Sequence, residues 1–239
     1  MYLQYLLDTA QSLGATTIRE TLPKSKSLAT TLRQATEVIK SHFARNPPRK
    51  EDGSPAPIPS QIDSWVNATG LSAKDLVPDE AMFPIRGQTV TVEGEAKGIT
   101  TMTFAAPASG FGPSEPTVLY VLPRPHSGTS VIGGTKQADN WNLEPDPVTT
   151  AQILENAKQF APELLDANGE FEVLSSQVAL RPSRKGGARV EMQNVEGFAV
   201  CHAYGHGGAG YQNSIGSAKK VVQLINKHFG GSGDGGPKL

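Results

Sequence analysis

The sequence is poor in features that mark several large classes of protein. Cys201 is the single cysteine in 239 residues, which excludes an intrachain disulfide and an all-cysteine metal site. The formal net charge is -1, whereas a general nucleic-acid or membrane-surface binder needs a basic surplus to offset phosphates. No apolar run approaches the roughly 20 residues of a membrane span, and the start lacks the basic region and cleavage site of a signal peptide. We therefore expect an intracellular protein with small-molecule or protein partners.

Hydrophobic periodicity predicts a mixed chain in which helices enclose a run of strands. Helical spacing favours helices at 2–13, 28–39, 149–164 (begun by a threonine cap) and 213–229. Strand patterns occur at 16–20, 64–70, 83–94, 99–104, 117–122, 130–135, 171–180, 188–193 and 197–204. Gly- and Pro-rich segments predict a surface loop at 45–60 and a flexible tail at 230–239. The fold class expected is α/β (α+β), with an antiparallel sheet in the middle of the chain.

The stretch "HAYGHGGAGYQNS" at 202–214 satisfies the dinucleotide-binding pattern G-x-G-x-x-G by letter. That pattern also needs a second parallel strand and an acidic residue about 20 positions further on. Position 230 is Gly230, and too little chain follows for a second strand. Two interpretations remain open: the glycines permit a tight turn, or the turn before the last helix stabilises an anion or an electron-rich ring.

Arg181, near this stretch, is a candidate for binding a carboxylate, and Tyr120 is a candidate for a buried polar contact. Arg181 precedes Pro182, which restricts the backbone, and a guanidinium at a fixed point matches a carboxylate in bidentate geometry. Tyr120 lies on an otherwise apolar strand, so its hydroxyl needs a partner if it is buried. The alternatives are a surface or ion-pair arginine and a core tyrosine whose hydroxyl meets the backbone.

Three other chemistries find little support. His202 and His206 have i, i+4 spacing, but they straddle a glycine turn rather than a helix face, so no metal site is expected. The G-x-S-x-G elbow of many hydrolases is absent from the sequence. The phosphate-binding pattern G-x-x-x-x-G-K-[ST] is absent as well.

Five segments, taken in order, resemble one family. The segment "HAYGHGGAGYQNSIGSA" is similar to the signature of the FAD-dependent D-amino-acid oxidases and D-aspartate oxidases. The other four are "YLQYLLDTAQSLGA"; "VNATGLSAKDLV" with "FPIRGQTVTV"; "YVLPRP" with "VIGGTKQADNWN"; and "LRPSRKGGARVE". The resemblance covers most of residues 2–228, and the fungal D-amino-acid oxidases look closest. One departure is the pair Val200 and Cys201, where the family usually has two aliphatic residues.

The resemblance implies a role for each matching position. Arg181 matches the arginine that grips the substrate carboxylate, Tyr120 the tyrosine that hydrogen-bonds it, and Gly208 the residue whose carbonyl receives the amino group. The implied cofactor is FAD, and the implied cofactor-binding residues are Ala68, Thr69, Gly70, Gly205, Gly207, Gly208, Ala209, Gly210, Tyr211 and Gln212, with Arg86, Gly87 and Gln88 close behind. Trp141 matches a position that supports the sheet.

The same resemblance implies a domain division: 1–80 a partial FAD-binding domain, 81–180 an antiparallel substrate-binding domain, 181–229 the C-terminal part of a Rossmann-like FAD-binding domain, and 230–239 a tail. Family members begin with a strand and a true G-x-G-x-x-G, and nothing like it precedes Tyr2. We therefore expect a fragment, a truncated product, or an N-terminal part on another chain, with weak or no activity of the chain alone. The resemblance leaves room for a homodimer.

The implied reaction is oxidative deamination of D-amino acids, with a hydride passing from Cα to flavin N5. The products are a 2-oxo acid, ammonia and, from dioxygen, hydrogen peroxide. The alternatives are a D-aspartate oxidase, in which Arg124 or Lys136 would supply the extra cation, and an inactive remnant that does not hold FAD. The last three residues, Pro-Lys-Leu, resemble the peroxisomal signal S-K-L and favour that organelle over the cytoplasm.

Overall fold

The computed structural model describes residues 2–23, 25, 27–48, 54, 61–104 and 117–230. The helices are α1 (Tyr2–Ser12), α2 (Leu28–Arg45), α3 (Ala73–Leu76), α4 (Pro147–Ala157) and α5 (Ser214–His228). The strands are β1 (Trp65–Asn67), β2 (Met82–Glu93), β3 (Thr100–Phe104), β4 (Thr117–Arg124), β5 (Thr129–Gly133), β6 (Gln137–Ala138), β7 (Val173–Arg184), β8 (Arg189–Val195) and β9 (Phe198–Tyr204). The mixed α/β class and the antiparallel central sheet are confirmed.

The chain divides into two compact units. The first contains the described residues among 1–79, 190–203 and 217–239, and the second contains those among 80–189 and 204–216. These boundaries come from contacts alone, so the division into FAD-binding and substrate-binding domains stays a prediction.

A sheet of order β1-β9-β8 organises the first unit, with β1 parallel to β9. Its core is small: Leu28 and Leu32 of α2 pack with Val200 of β9. Helix α2 begins at the side chain of Ser27, which accepts a hydrogen bond from the backbone N–H of Thr30. Helix α1 ends before Gly14 as predicted, but it buries none of its residues against the described part of the chain.

An antiparallel sheet dominates the second unit, in the order β3-β4-β5-β2-β6, with β7 paired along β2. Alternate residues of β2 and β4 bury one face of this sheet beneath α4. That core includes Val90 and Val92 of β2, Val121 of β4, Ile132 of β5 and Ile153 of α4. The other face of the sheet is left to form a cavity.

Two local predictions were wrong. The strand at 16–20 does not form: residues 15–23 are irregular and mostly exposed, and no strand of the described part of the chain lies beside this β-type sequence to pair with it. Helix α4 is capped by Asp146 rather than a threonine, because the Asp146 carboxylate accepts the Thr149 N–H and Pro147 then occupies the first helical position. The predicted loop at 45–60, apart from 45–48 and 54, and the tail after Gly230 lie outside the described residues.

Candidate active site

The cavity of the second unit lies on the face of the sheet opposite α4. Successive side chains of a strand point to opposite faces. On β4, Leu119 and Val121 therefore enter the core, while Val118, Tyr120 and Leu122 line the cavity. The volume of this cavity is about 840 Å³, within the range of small-molecule sites. A single sheet thus separates the cavity, on one of its faces, from the core on the other.

Strand register brings the two predicted carboxylate-binding side chains to this face. Tyr120 lies opposite Gly133 of β5, and Gly133 lies opposite Thr89 of β2. Arg181 of β7 lies opposite Ile85 of β2, which shares the face of Thr89 because the two are four residues apart. Tyr120 and Arg181 both line the cavity, although 61 positions separate them in the sequence.

The Arg181 side chain lies across β2 above Gly87. A Cβ added at Gly87 would lie 2.6 Å from Nη2 and 2.7 Å from Cζ of Arg181. On the other side, Nη1 of Arg181 donates a hydrogen bond of 3.2 Å to the carbonyl oxygen of Thr135. Arg181 was expected at a strand end, but β7 continues past Pro182 to Arg184. Pairing with β2, rather than the proline alone, therefore holds the backbone of Arg181.

The Tyr120 ring lies over Gly133, the last residue of β5, and over Gly134, which follows it. A Cβ at Gly133 would overlap the phenol ring, and one at Gly134 would lie 3.0 Å from the hydroxyl oxygen. Tyr120 is half-buried and lines the cavity, so it is not a core tyrosine. Its hydroxyl is carried on the same face as the Arg181 guanidinium.

The glycine turn after β9 packs against the end of β7, and this contact explains several of its glycines. Gly205 has φ +83°, and a Cβ there would lie 2.7 Å from Cβ of Arg184. Gly207 has φ +59°, and a Cβ there would lie 2.9 Å from Oγ of Ser183. Both positions require a residue without a side chain, on conformational and on steric grounds. This observation favours the tight-turn interpretation for these two glycines.

The remaining part of the turn reaches the cavity. Gly208 and Gln212 line it, and a Cβ at Gly208 would lie 3.5 Å from Cδ of Arg181. Ala209 is half-buried, and Gly210, Tyr211 and Gln212 are exposed just before α5 begins. Arg181, Tyr120, Gly208 and Gln212, all predicted from the sequence, therefore meet at one cavity.

The predicted cofactor contacts Ala68, Thr69 and Gly70 follow β1 in the first unit. Asn67, at the end of that strand, accepts the Thr69 N–H and hydroxyl on its Oδ1, at 3.2 and 2.8 Å. Its amide nitrogen must then donate to Nδ1 of buried His202, at 3.2 Å. This bond fixes the geometry at the strand end, where Gly70 turns the chain with φ +60°.

Both ring nitrogens of His202 are engaged by protein groups. Because Nδ1 accepts from Asn67, Nε2 carries the proton and donates to Oε1 of Gln193 at 2.9 Å. His202 thus links two strands of its sheet. Neither ring nitrogen of His202 is therefore left for a metal ion.

Arg86 and Gln88 lie on the core face of β2, away from the cavity. Arg86 is 2% exposed, and its guanidinium donates to four protein acceptors: Asn142 O, Gln137 Oε1, Gln88 Oε1 and Glu144 O. The Gln88 amide donates to Asp146 O and Thr150 Oγ1 at 2.8 Å each. These two side chains hold the loop before α4, a role that the resemblance did not suggest.

Two residues next to the site carry functions that sequence reasoning missed. Thr135 orders Arg181 through its carbonyl, and its hydroxyl accepts the backbone N–H of Gln88 at 2.9 Å. Arg189 donates to the hydroxyl of buried Tyr204 at 2.9 Å, immediately before the glycine turn. Neither the sequence "GGT" at 133–135 nor the sequence "HAYG" at 202–205 indicates these contacts.

The two candidate cations for a second carboxylate differ in position. Lys136 lines the cavity, whereas Arg124 is exposed at the far end of β4, beside the hairpin turn. Trp141, predicted to support the sheet, is 50% exposed.

The composition of the site fits an FAD-dependent enzyme. Gly208 and Gly210 have no side chain, so a flat ring could approach the backbone of the turn at these two positions. The N-terminus of α5, which is the positive end of its helix dipole, directly follows this turn and would stabilise the negative charge of a reduced ring.

The chain is similar to proteins of known family. The family model for FAD dependent oxidoreductases (DAO) matches residues 1–224. D-amino-acid oxidase of Fusarium vanettenii is 36% identical over 167 residues, covering 68% of this chain and 45% of that protein. D-aspartate oxidase of Talaromyces thermophilus is 36% identical over 161 residues, covering 67% of this chain and 40% of that protein. The chain spans less than half the length of these two relatives.

The crystal structure of glycine oxidase from Bacillus cereus has a similar fold. It superposes with a TM-score of 0.54 at 23% identity, covering 70% of this chain and 43% of that one. In the described part of the chain, no helix is long and apolar enough to cross a membrane. With the family match extending over nearly its whole length, the chain belongs to the FAD dependent oxidoreductase family.

Proposed function

We propose that this chain supplies the substrate site of an FAD-dependent D-amino-acid oxidase. The substrate loses a hydride from Cα and a proton from nitrogen, and water hydrolyses the imino acid to a 2-oxo acid and ammonia. FAD, when bound, accepts the hydride and passes two electrons to dioxygen, which becomes hydrogen peroxide. The observation that carries the proposal is the meeting of Arg181 and Tyr120 on one face of one cavity.

The residues of the chain orient the substrate. Arg181 binds the α-carboxylate through paired N–H donors, and the Tyr120 hydroxyl donates to the same carboxylate. The Gly208 carbonyl accepts a hydrogen bond from the amino group. Three contacts on two substituents of Cα fix which face of that carbon meets the cofactor, and this selects one enantiomer. Orientation of this kind accounts for most of the expected rate effect.

For the cofactor, we propose contacts from Ala68, Thr69 and Gly70 after β1 and from the turn Gly205–Gln212. The exposed backbone of that turn and the adjacent start of α5 support the second group of contacts. Asn67 supports the first group by ordering Thr69.

Peroxide formation with D-alanine, compared with L-alanine, tests the proposal in the FAD-supplemented protein. Replacing Arg181 with alanine should lower kcat/KM for D-alanine at least about 100-fold, because the carboxylate loses its bidentate partner. Arg124→Ala, at the exposed end of β4, is the matched control and should leave turnover unchanged. Equal rates with both enantiomers, or full activity of Arg181→Ala, would contradict the assignment.

D-aspartate oxidation is the second candidate, and the position of Lys136 at the cavity favours it. Its ammonium would pair with the side-chain carboxylate of the substrate, whereas Ile85, Val118 and Leu122 at the same cavity favour apolar side chains. Lys136→Met should lower kcat/KM for D-aspartate about tenfold while D-alanine is little affected. A preference for D-alanine over D-aspartate that Lys136→Met does not change would contradict D-aspartate oxidation and support a neutral substrate.

We also propose a peroxisomal location, supported by the chemistry of a peroxide-forming oxidase and by the C-terminal Pro-Lys-Leu. That tripeptide lies outside the described residues. Fluorescence microscopy of a fusion that leaves the C-terminus free, with and without the last three residues, tests it. A diffuse signal from both versions would contradict the proposal.

A further inference from the structure

Two glycines lie beneath the two carboxylate-binding side chains. Gly87 of β2 lies under the Arg181 guanidinium, and Gly133 of β5 lies under the Tyr120 phenol. Neither glycine has a positive φ, so neither lies in the left-handed region that favours glycine. Space is limited at both positions, because an added Cβ at each would overlap the functional group above it.

We propose that Gly87 and Gly133 are positioning residues for substrate binding, which let Arg181 and Tyr120 lie flat against the sheet. The inference rests on the proposed function, since it assigns Arg181 and Tyr120 to the α-carboxylate. A methyl group at either glycine would lift one side chain toward the centre of the cavity. The guanidinium and the phenol would then no longer lie at the same depth, and a single carboxylate could not meet both.

The segment Gly133–Thr135 connects the two positions. Gly133 and Gly134 lie under the Tyr120 ring, and the next residue, Thr135, accepts a hydrogen bond from Arg181 on its carbonyl. The Thr135 hydroxyl is held in turn by the backbone N–H of Gln88, next to Gly87. One tripeptide and one adjoining glycine therefore set the positions of both ligand groups relative to each other.

Alanine substitution of Gly87 tests the first half of the proposal. Gly87→Ala should lower kcat/KM for D-alanine about 100-fold, as expected for a misplacement of the order of 1 Å. It should also weaken binding of propanoate, a carboxylate without an amino group, measured by NMR titration of the FAD-supplemented protein. Gly98→Ala is the matched control, because Gly98 is exposed, has no positive φ and has open space where a Cβ would lie.

A double-mutant cycle separates positioning from general damage to the sheet. In an Arg181→Ala background the guanidinium is gone, so Gly87→Ala should change propanoate binding by less than about twofold. The same logic applies to Gly133→Ala with Tyr120→Ala. If Gly133→Ala fails to fold, the double variant should restore the circular dichroism spectrum, because the overlapping ring is absent.

The outcomes distinguish this inference from the proposed function. Propanoate binding that is weakened but still measurable in Arg181→Ala, and unchanged in Gly87→Ala and Gly133→Ala, would overturn the inference and leave the function standing. Failure of the unmodified protein to bind propanoate would overturn both. Equal loss from Gly87→Ala in the parent and in the Arg181→Ala background would also overturn the inference, since the effect would then not pass through Arg181.

Discussion

Replacement of buried Arg86 by lysine should destabilise the second unit strongly, although the charge is kept. The guanidinium donates through three nitrogens to four acceptors spread over three segments of chain. The hydrogen bonds are 2.8 Å to Asn142 O, 2.8 Å to Gln137 Oε1, 2.9 Å to Gln88 Oε1 and 2.6 Å to Glu144 O. A lysine ammonium has a single nitrogen with three donors, so it cannot span these acceptors.

The magnitude follows from the bonds that lysine cannot remake. If two of the four are lost, and each hydrogen bond to a charged group contributes about 1.5–3 kcal/mol, the free energy of unfolding falls by about 3–6 kcal/mol. That loss is a large part of the roughly 5–15 kcal/mol available to a typical domain. With an m-value of about 2 kcal/mol/M, the urea midpoint should fall by about 1.5–3 M.

Urea unfolding followed by the fluorescence of Trp141 measures this change, because Trp141 adjoins Asn142 in the loop that Arg86 holds. A Trp65→Phe background removes the other tryptophan of the chain. Arg124→Lys, at an exposed position, is the control and should stay within about 0.5 kcal/mol of the parent. An Arg86→Lys variant as stable as that control would refute the reasoning, since the four bonds would then contribute nothing.

Three further outcomes are expected. Asp146→Ala should lower the melting temperature more at about pH 7 than at about pH 3, because the Thr149 hydroxyl and N–H hold the pKa of Asp146 below its ordinary 3.8 and this stabilisation declines as the pH falls below 3.8 toward the folded-state pKa; calorimetry that shows the same gap at both pH values would contradict it. Burial raises the pKa of the Cys201 thiol, so mass spectrometry should find it unmodified by iodoacetamide in the native protein and labelled in urea, and rapid native labelling would count against its burial. Gly207→Ala should cost about 1–2 kcal/mol in urea unfolding, because alanine is strained at φ +59°; Ser183→Ala should recover only part of this loss, and full recovery would show that the contact alone matters.

Much of the fold could be predicted from local pattern. The strands β2, β4 and β5 alternate because one face of each packs in the core, and α2 and α5 have helical spacing. The segment at 16–20 has a similar β-type sequence but no partner strand in the described part of the chain. A local sequence pattern cannot show which segment will lie beside it in the fold. The residue that caps α4 was predicted wrongly for a related reason: the true cap, Asp146, lies three residues before the threonine at which the sequence pattern predicts the helix to begin.

The site divides in the same way. Arg181, Tyr120, Gly208 and Gln212 follow from the resemblance and meet at one cavity. Thr135 could not be predicted, because its contact uses the carbonyl oxygen that every residue has. Strand register decides which face of the sheet each side chain lies on. It places Arg86 in the core, whereas its neighbour Gly87 lies on the opposite face, under the guanidinium of Arg181.

If the cavity is the proposed substrate site, the alternation along β4 makes protein stability and substrate preference separately adjustable. Residues at even positions from 118 to 122 contact the cavity, and the odd ones between them contact the core. A mutant library confined to Val118 and Leu122 should therefore explore new substrate side chains at little cost in folding yield. Selection, natural or in the laboratory, can change the specificity of this strand one residue at a time without first rebuilding the protein beneath it.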